Sequence, residues 1–339
     1  MANNQKKYNT YPSFPSTRMR RNRLHDWSRR LIKENQLSVD DLIWPIFVTK
    51  NNKTKINSMP GIYRIPLSEI ADTVGEAQNY GIPAIALFPH TDTDIKDNNG
   101  SEALNANNII CEATRLIKKQ HKSIGIITDV ALDPYTSHGH DGIIKNNEIL
   151  NDETLEILGK QALNQTKAGA DIIAPSDMMD GRIQHIRNTL DKNGFKNTQI
   201  MSYAAKYASN FYGPFRKAIG SEKNLSNKSK KSYQMDYSNS DEALKEVQLD
   251  INEGADMIMV KPGMPYLDII YRIKSEFNMP TYAYQVSGEY SMIANAIKNN
   301  FLSEQETIIE SLTCFKRAGA NGILTYFALE AAKILSTGK

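Results

Sequence analysis

The sequence predicts an α/β fold, a closed (β/α)8 TIM barrel with an extended N-terminal arm. Three observations carry that prediction. Eight short apolar runs recur from about residue 40 onward, near-continuously apolar instead of alternating, as strands buried on both faces of a parallel sheet are. Helical patterns separate the runs, and that alternation is the pattern of a closed barrel. The endings KAGAD, NEGAD and KRAGAN each fall just before a strand-like run and read as one αβ turn with a glycine C-cap, used three times. An open doubly wound sheet would want a glycine-rich phosphate turn after an early strand, and none occurs.

The predicted strands are LIWPIFVT (42–49), AIALFP (84–89), IGIITDVAL (124–132), DIIAPSD (171–177), QIMSYAAK (199–206), MIMVKPG (257–263), TYAYQVS (281–287) and GILTYFA (322–328). LSEIADTVGEAQNYG predicts a helix with Ser68 as N-cap and Gly81 as stop. NDETLEILGKQALNQTKAGA predicts a helix from Asn151 to Ala170. SDEALKEVQLDINEGA carries Ser240 as cap and a Gly254-Ala255 stop, and SEQETIIESLTCFKRAGA opens with Ser303 and Glu306 in capping-box spacing. Two insertions break the rhythm: one after the second strand, and YASNFYGPFRKAIGSEKNLSNKSKKSYQMD after Lys206. The second is too long for a routine βα loop and reads as a lid over a site. The division is therefore residues 1–35 as arm and 36–339 as barrel, with 207–235 as lid.

Composition narrows the function. The chain has 339 residues, 40% of them hydrophobic, enough for one large core. No apolar run is long enough to span a bilayer, and a net charge of +3 implies no polyanionic partner. Cys111 and Cys314 stand far apart in helical patterns. They form no disulfide framework or CxxC motif and read as small buried hydrophobes, which points to a reducing, cytoplasmic compartment. The first thirty residues hold Arg18, Arg20, Arg21, Arg23, Arg29 and Arg30, with no acid before Asp26. A targeting peptide and a nucleic-acid arm are alternatives. The aromatic and proline-rich TYPSFP has no helical period and needs a partner surface to become ordered, so docking on a neighbouring subunit is preferred.

Catalytic groups of such a barrel sit at the C-terminal ends of its strands. Those ends supply Asp129, Asp133, Ser176, Asp177, Lys206, Lys261, Ser287 and Tyr326. Lys206 and Lys261 each close an apolar run, on adjacent strands. A lysine alone at such a place often snorkels to water. Two side by side lose hydration and repel one another, which favours the neutral, nucleophilic amine. Schiff-base chemistry on carbonyl substrates is the expectation. Arg216 and Lys230, on the lid, are suited to clamp a carboxylate, and Ser287 and Tyr326 offer hydroxyls to a second. The segment TDVALDPYTSHGHDG (128–142) holds Asp129, Asp133, His138, His140 and Asp141. Carboxylates outnumber imidazoles there, which suits Mg2+ or a monovalent cation better than zinc; a loop of Asx turns is the metal-free alternative.

The stretches FPSTRMRRNR, APSDMMDGRI, SYAAKYASNFYGPFR, KKSYQMD, MVKPGMPYLDII, YQVSGEY and TYFALEAA resemble the porphobilinogen synthase (5-aminolevulinate dehydratase) family over nearly the whole chain. The resemblance implies asymmetric condensation of two 5-aminolevulinate molecules to porphobilinogen with loss of two waters, in haem biosynthesis. It implies Schiff bases on Lys206 and Lys261. Arg216 and Lys230 would hold the carboxylate of the first substrate, and Ser287 and Tyr326 that of the second. The zinc-using branch carries three cysteines where this chain has Ala131, Asp133 and Asp141, so no catalytic zinc is expected and the pattern is similar to the branch using Mg2+ or a monovalent ion. Glu246 stands where the family has an allosteric Mg2+ ligand. The arm is implied to wrap a neighbouring barrel in a homo-octamer, without nucleic acid or membrane as partner. A sugar-phosphate aldolase would need one such lysine and a phosphate site near the last two strands. A scaffold protein would have no use for the paired lysines.

Overall fold

The computed structural model describes residues 12–219 and 229–337. The chain divides into two compact units, residues 1–36 and 37–339. The first, in its described part, is a 3-10 turn Met19–Arg23 followed by a short helix Asp26–Leu31. Arg29 and Arg30 pair with Asp26, and the Arg18 guanidinium lies 4.5 Å from the centre of the Phe14 ring. Phe14, Trp27 and Leu31 are exposed.

The second unit is a closed parallel barrel. Its strands are β1 (Leu42–Thr49), β2 (Ala84–His90), β3 (Gly125–Val130), β4 (Ile172–Pro175), β5 (Gln199–Lys206), β6 (Met257–Lys261), β7 (Thr281–Gln285) and β8 (Gly322–Thr325). Each pairs with the next, and β8 closes on β1 with Leu42 opposite Ile323 and Ile43 opposite Leu324. Helices α1 (Ile70–Asn79), α2 (Ile109–Gln120), α3 (Asn151–Ala168) and α4 (Arg182–Lys192) connect the first five strands. A seven-residue helix, α5 (Gly213–Ile219), follows β5 before α6 (Asp241–Asn252). Then come α7 (Leu267–Phe277), α8 (Ser287–Lys298), α9 (Glu304–Ala318) and α10 (Ala328–Thr337). Two hairpins are added, Thr54–Lys55 with Tyr63–Pro66 and Ile143–Lys145 with Glu148–Leu150.

The predicted strands all form, but five overshoot at the C-terminal side. Leu132, Asp177, Gly263, Ser287 and Ala328 lie beyond their strands, because polar or turn residues there leave the ladder for the loops. Ser287 is instead the first residue of α8, and Tyr326 lies just past β8. Three predicted caps are also corrected. Ser303 precedes α9, but its hydroxyl donates to the Glu306 carboxylate and no capping-box bond to the helix forms. Ser68 lies in a turn and α1 begins after Glu69 without a side-chain cap. Ser240 precedes α6, but its hydroxyl accepts from Arg272 Nη1 at 2.5 Å and does not cap the helix. Cys111 is buried, whereas Cys314 is only half-buried.

The repeated turn is present three times. Gly169, Gly254 and Gly319 have φ of 109°, 105° and 104°, which costs glycine nothing and would strain any other residue. The residue two places on then caps the neighbouring strand. Asp171 accepts from Ile126 N–H at 2.7 Å, Asp256 from Ile200 N–H at 2.7 Å, and Asn321 from Thr281 N–H at 3.0 Å.

Candidate active site

The two lysines meet at the mouth of the barrel. Lys206 lies directly opposite Lys261 across the β5–β6 ladder. A β-bulge brings them there. Ile258 pairs with Ser202 and Val260 with Ala205, so β5 carries one extra residue between those pairs. Without it, Lys261 would face Ala205. Both lysines are 5% exposed, so neither snorkels to water.

Their surroundings differ. The Lys206 ammonium donates to the Ser176 carbonyl and lies 3.4 Å from Asp141 Oδ1. Lys261 has no carboxylate within ion-pair distance among the described residues. It is ringed by Tyr284, Tyr203, Phe215 and Tyr212, with ring centres 4.7, 5.0, 5.0 and 5.5 Å from Nζ. Aromatic faces favour a cation, but burial strips its hydration and Lys206 adds a like charge. The amine is lowered from 10.5 to about 7, chiefly by burial and next by Lys206.

Carboxylates close the floor of the site. Burial pushes Asp129 up to about 6, against the pull of Lys261. Its Oδ1 is buried with no hydrogen-bond partner. Burial also acts to raise Asp141, but Lys206 and Lys230 outweigh it and hold the carboxyl well below its usual range. Lys230 Nζ lies 2.7 Å from Asp141 Oδ2 and 3.1 Å from Asp133 Oδ2. Tyr233 donates its hydroxyl to Asp141 Oδ2 at 2.7 Å. From behind, Gln165 and Gln161 of α3 donate to the carbonyls of Asp129 and Ala131, at 2.9 and 3.2 Å, and so fix the end of β3. Asp177, fully buried, is pushed up to about 7 by burial, with Arg182 opposing.

The remaining predicted residues sit around this centre. Ser287, 1% exposed, accepts from Phe215 N–H at 2.9 Å, which ties α5 to the start of α8. The Tyr326 hydroxyl lies 2.8 Å from that of Tyr284, and its ring stacks on Phe47 with centres 5.8 Å apart. Arg216 is half-buried on α5. Of the predicted lid, residues 220–228 lie outside the described residues. Glu246 is elsewhere, half-buried on α6. It lines a cavity of about 890 Å³ with His140, Asp180, Tyr233 and Glu242. Burial raises its carboxyl and Arg182 lowers it. Among the described residues, no three His, Cys, Asp or Glu side chains cluster as metal ligands.

Sequence reasoning missed Tyr233, the aromatic ring of Lys261 and Glu289. Tyrosines near a site carry no periodic signal, and a glutamate two residues into a helix reads as an ordinary first-turn acid.

Comparisons with known proteins agree on one family. Residues 16–334 match the family model described as delta-aminolevulinic acid dehydratase. The chain is 58% identical to the delta-aminolevulinic acid dehydratase of Bradyrhizobium diazoefficiens, over 94% of this chain and 91% of that one. It is 52% identical to that of Methanothermus sociabilis, over 94% and 98%. The crystal structure of the Toxoplasma gondii ME49 enzyme, solved with the reaction product porphobilinogen, superposes with a TM-score of 0.92 at 45% identity, covering 94% of this chain and 91% of that one. The chain belongs to the delta-aminolevulinic acid dehydratase family.

Proposed function

We infer that this protein is a porphobilinogen synthase, a lyase (EC 4.2.1.24) that joins two molecules of 5-aminolevulinate into porphobilinogen with loss of two waters. The observation that carries this reading is the pair of buried lysines in register at the barrel mouth, where burial and the neighbouring Lys206 lower the Lys261 amine. Each neutral amine adds to the ketone of one substrate and expels water as the iminium forms. The iminium draws electrons from the neighbouring carbon, so a proton there becomes removable and a carbon–carbon bond can form to the other substrate. That bond forms to the other substrate's iminium carbon. The amino group of this second substrate then attacks the first one's iminium carbon, and both lysines leave as amines as the ring loses protons to become aromatic. The two waters expelled in iminium formation are thus the only ones lost. Asp129, raised toward neutrality beside Lys261, is suited to take or return a proton in these steps. The four rings around Lys261 shield the iminium charge from water while attracting it. Holding both substrates in one orientation supplies much of the rate.

Carboxylate recognition follows the lysines. Arg216 and Lys230 serve the substrate on Lys206. Lys230 is already paired with Asp133 and Asp141, so substrate binding there shares or exchanges that ion pair. Ser287 and Tyr326 serve the substrate on Lys261.

The chain fits the non-zinc branch. At the positions of the zinc-binding thiolates stand Ala131, Asp133 and Asp141, and the two carboxylates pair with the Lys230 ammonium, Asp141 also with Lys206. That donor set is hard and already charge-balanced, which disfavours a soft-ligand zinc site; a monovalent cation beside Asp129 is the alternative there. Glu246, with Asp180 and Glu242 on the same cavity, fits a hydrated Mg2+, which keeps most of its waters and needs few protein ligands. Bound there, Mg2+ would act at a distance from the lysines as an allosteric ion. The protein works in the cytoplasm as a homo-octamer joined through its arms.

Borohydride added with 5-aminolevulinate tests the chemistry. A mass gain that disappears only when Lys206→Met and Lys261→Met are combined supports it; absence of any adduct ends it. Colour with Ehrlich's reagent identifies the product. For the metal, EDTA followed by Mg2+ restores activity, whereas revival by zinc alone would overturn the assignment.

A further inference from the structure

We propose that Glu289 is a positioning residue, whose carboxylate bolts the loop after Lys261 to the helix start that carries Ser287. Glu289 lies in the first turn of α8 and has no exposed surface. Its Oε2 accepts from Val286 N–H at 2.7 Å and from Gly263 N–H at 3.2 Å, and its Oε1 accepts from Met264 N–H at 2.5 Å. The first bond is what any capping-box glutamate makes to its own helix start. The other two come from a different strand end, two and three residues beyond Lys261. One side chain thus fastens the exits of β6 and β7 to each other.

The chemistry of the side chain is dictated by that arrangement. Three N–H groups converge on two oxygens, so the bolt must be a pure acceptor. A carboxylate qualifies, whereas a glutamine would turn its NH2 toward a donor. No lysine or arginine pairs with Glu289 among the described residues. Burial pushes its carboxyl up to about 7, and the three backbone donors are what oppose the shift. A buried carboxylate with hydrogen-bond donors but no countercharge is costly for stability alone, so its use here argues for a demand on geometry.

The loops are fitted closely around it. A Cβ at Gly263 would lie 2.5 Å from Phe315 Cε1 and 2.9 Å from the Tyr284 carbonyl oxygen. A Cβ at Gly288 would lie 2.5 Å from the Phe211 carbonyl oxygen. Gly263 has therefore given up a side chain so that the loop after β6 can approach the end of β7, and Gly288 so that the start of α8 can approach the segment after β5. Under the reading above, on which this inference rests, Lys261 takes the ketone and Ser287 the carboxylate of one substrate. The bolt sets the distance between those two ends.

Glu289→Gln tests this in two measurements on the full-length protein. Amide hydrogen exchange of Gly263, Met264 and Val286 speeds up by about tenfold or more, with the rest of the barrel unchanged. Borohydride trapping of 5-aminolevulinate is then compared in two backgrounds. With Lys206→Met, only Lys261 reports, and its half-saturating substrate concentration rises about tenfold. With Lys261→Met, only Lys206 reports, and its value stays within about twofold. Unchanged exchange overturns the bolt. Faster exchange with equal losses at both lysines, or with none, overturns the positioning role and leaves Glu289 a structural residue. Absence of any adduct on the parent enzyme overturns the Schiff-base reading itself, and the parent control tells that failure from the others. Should Glu289→Gln not fold, Glu289→Asp keeps the charge but withdraws the oxygens by one methylene, with the same selective loss expected at Lys261.

Discussion

Lys261 holds its proton loosely for two separable reasons, lost hydration and the neighbouring Lys206. Only the neutral amine attacks a ketone. The rate of borohydride-trapped adduct at Lys261 therefore rises with pH, bends near 7 and is level above it. Below the bend it falls about tenfold per pH unit. In Lys206→Met the like charge is gone, so the bend moves to higher pH; a bend that stays put would show that burial alone sets it. The same shift has a stability sign. Folded Lys261 binds its proton less tightly than the unfolded chain does, so this group lowers stability below its ordinary 10.5, and the deficit deepens as pH falls to about 7 and is constant beneath. Lys230 presents the opposite case. It pairs with Asp133 and Asp141 in a buried setting, and Lys230→Met leaves Asp133 without its cation and Asp141 with Lys206 alone. Urea unfolding at neutral pH is expected to show a loss of about 3–5 kcal/mol, part of which the added change Asp141→Asn restores.

Among the elements, the β5 bulge and the repeated turn do most to place the site. The turn combines a left-handed glycine with an acceptor that caps the neighbouring strand. Asp256 receives Ile200 N–H at the start of β5, so Asp256→Ala is expected to cost about 1 kcal/mol. Gly254→Ala forces a side chain to φ of 105° and is expected to cost about 1–3 kcal/mol; thermal unfolding of the two variants checks both. The glycine was legible in KAGAD, NEGAD and KRAGAN because its conformational freedom is local. The acceptor after it was equally visible, but its partner lies on another strand and no local pattern points there. The strands themselves were legible because burial on both faces leaves unbroken apolar runs. Their ends were not, since a strand stops where the ladder stops, and Ser287 and Tyr326 carry no mark of that. Ser240 and Ser303 misled for a related reason: a hydroxyl before a helix caps it only when nothing nearby competes, and Arg272 takes Ser240 while Glu306 takes Ser303. The bulge left no trace in composition, although it decides that Lys206 and not Ala205 faces Lys261.

For the whole molecule, the barrel and the arm make different demands. The hydrophobic core identified among the described residues lies entirely within the 37–339 unit, so the barrel does not draw its core from the arm. The arm exposes Phe14, Trp27 and Leu31 beside six arginines and little acid. Large apolar side chains gathered on a short, basic segment are costly in water and are expected to be covered by a partner. Another copy of this chain is a sufficient partner, because its barrel provides a large folded surface and the six arginines need only scattered acids to meet. Deletion of residues 1–36 therefore is expected to leave the far-ultraviolet circular dichroism per residue of the barrel close to that of the parent, while sedimentation equilibrium gives a much smaller assembly. Replacing Phe14, Trp27 and Leu31 with serine in the full chain would reproduce the smaller mass without shortening it, which separates the apolar contacts from the arginines. An assembly of unchanged stoichiometry after both alterations would mean that the barrels associate through their own faces, and the arm would then have no part in building the oligomer.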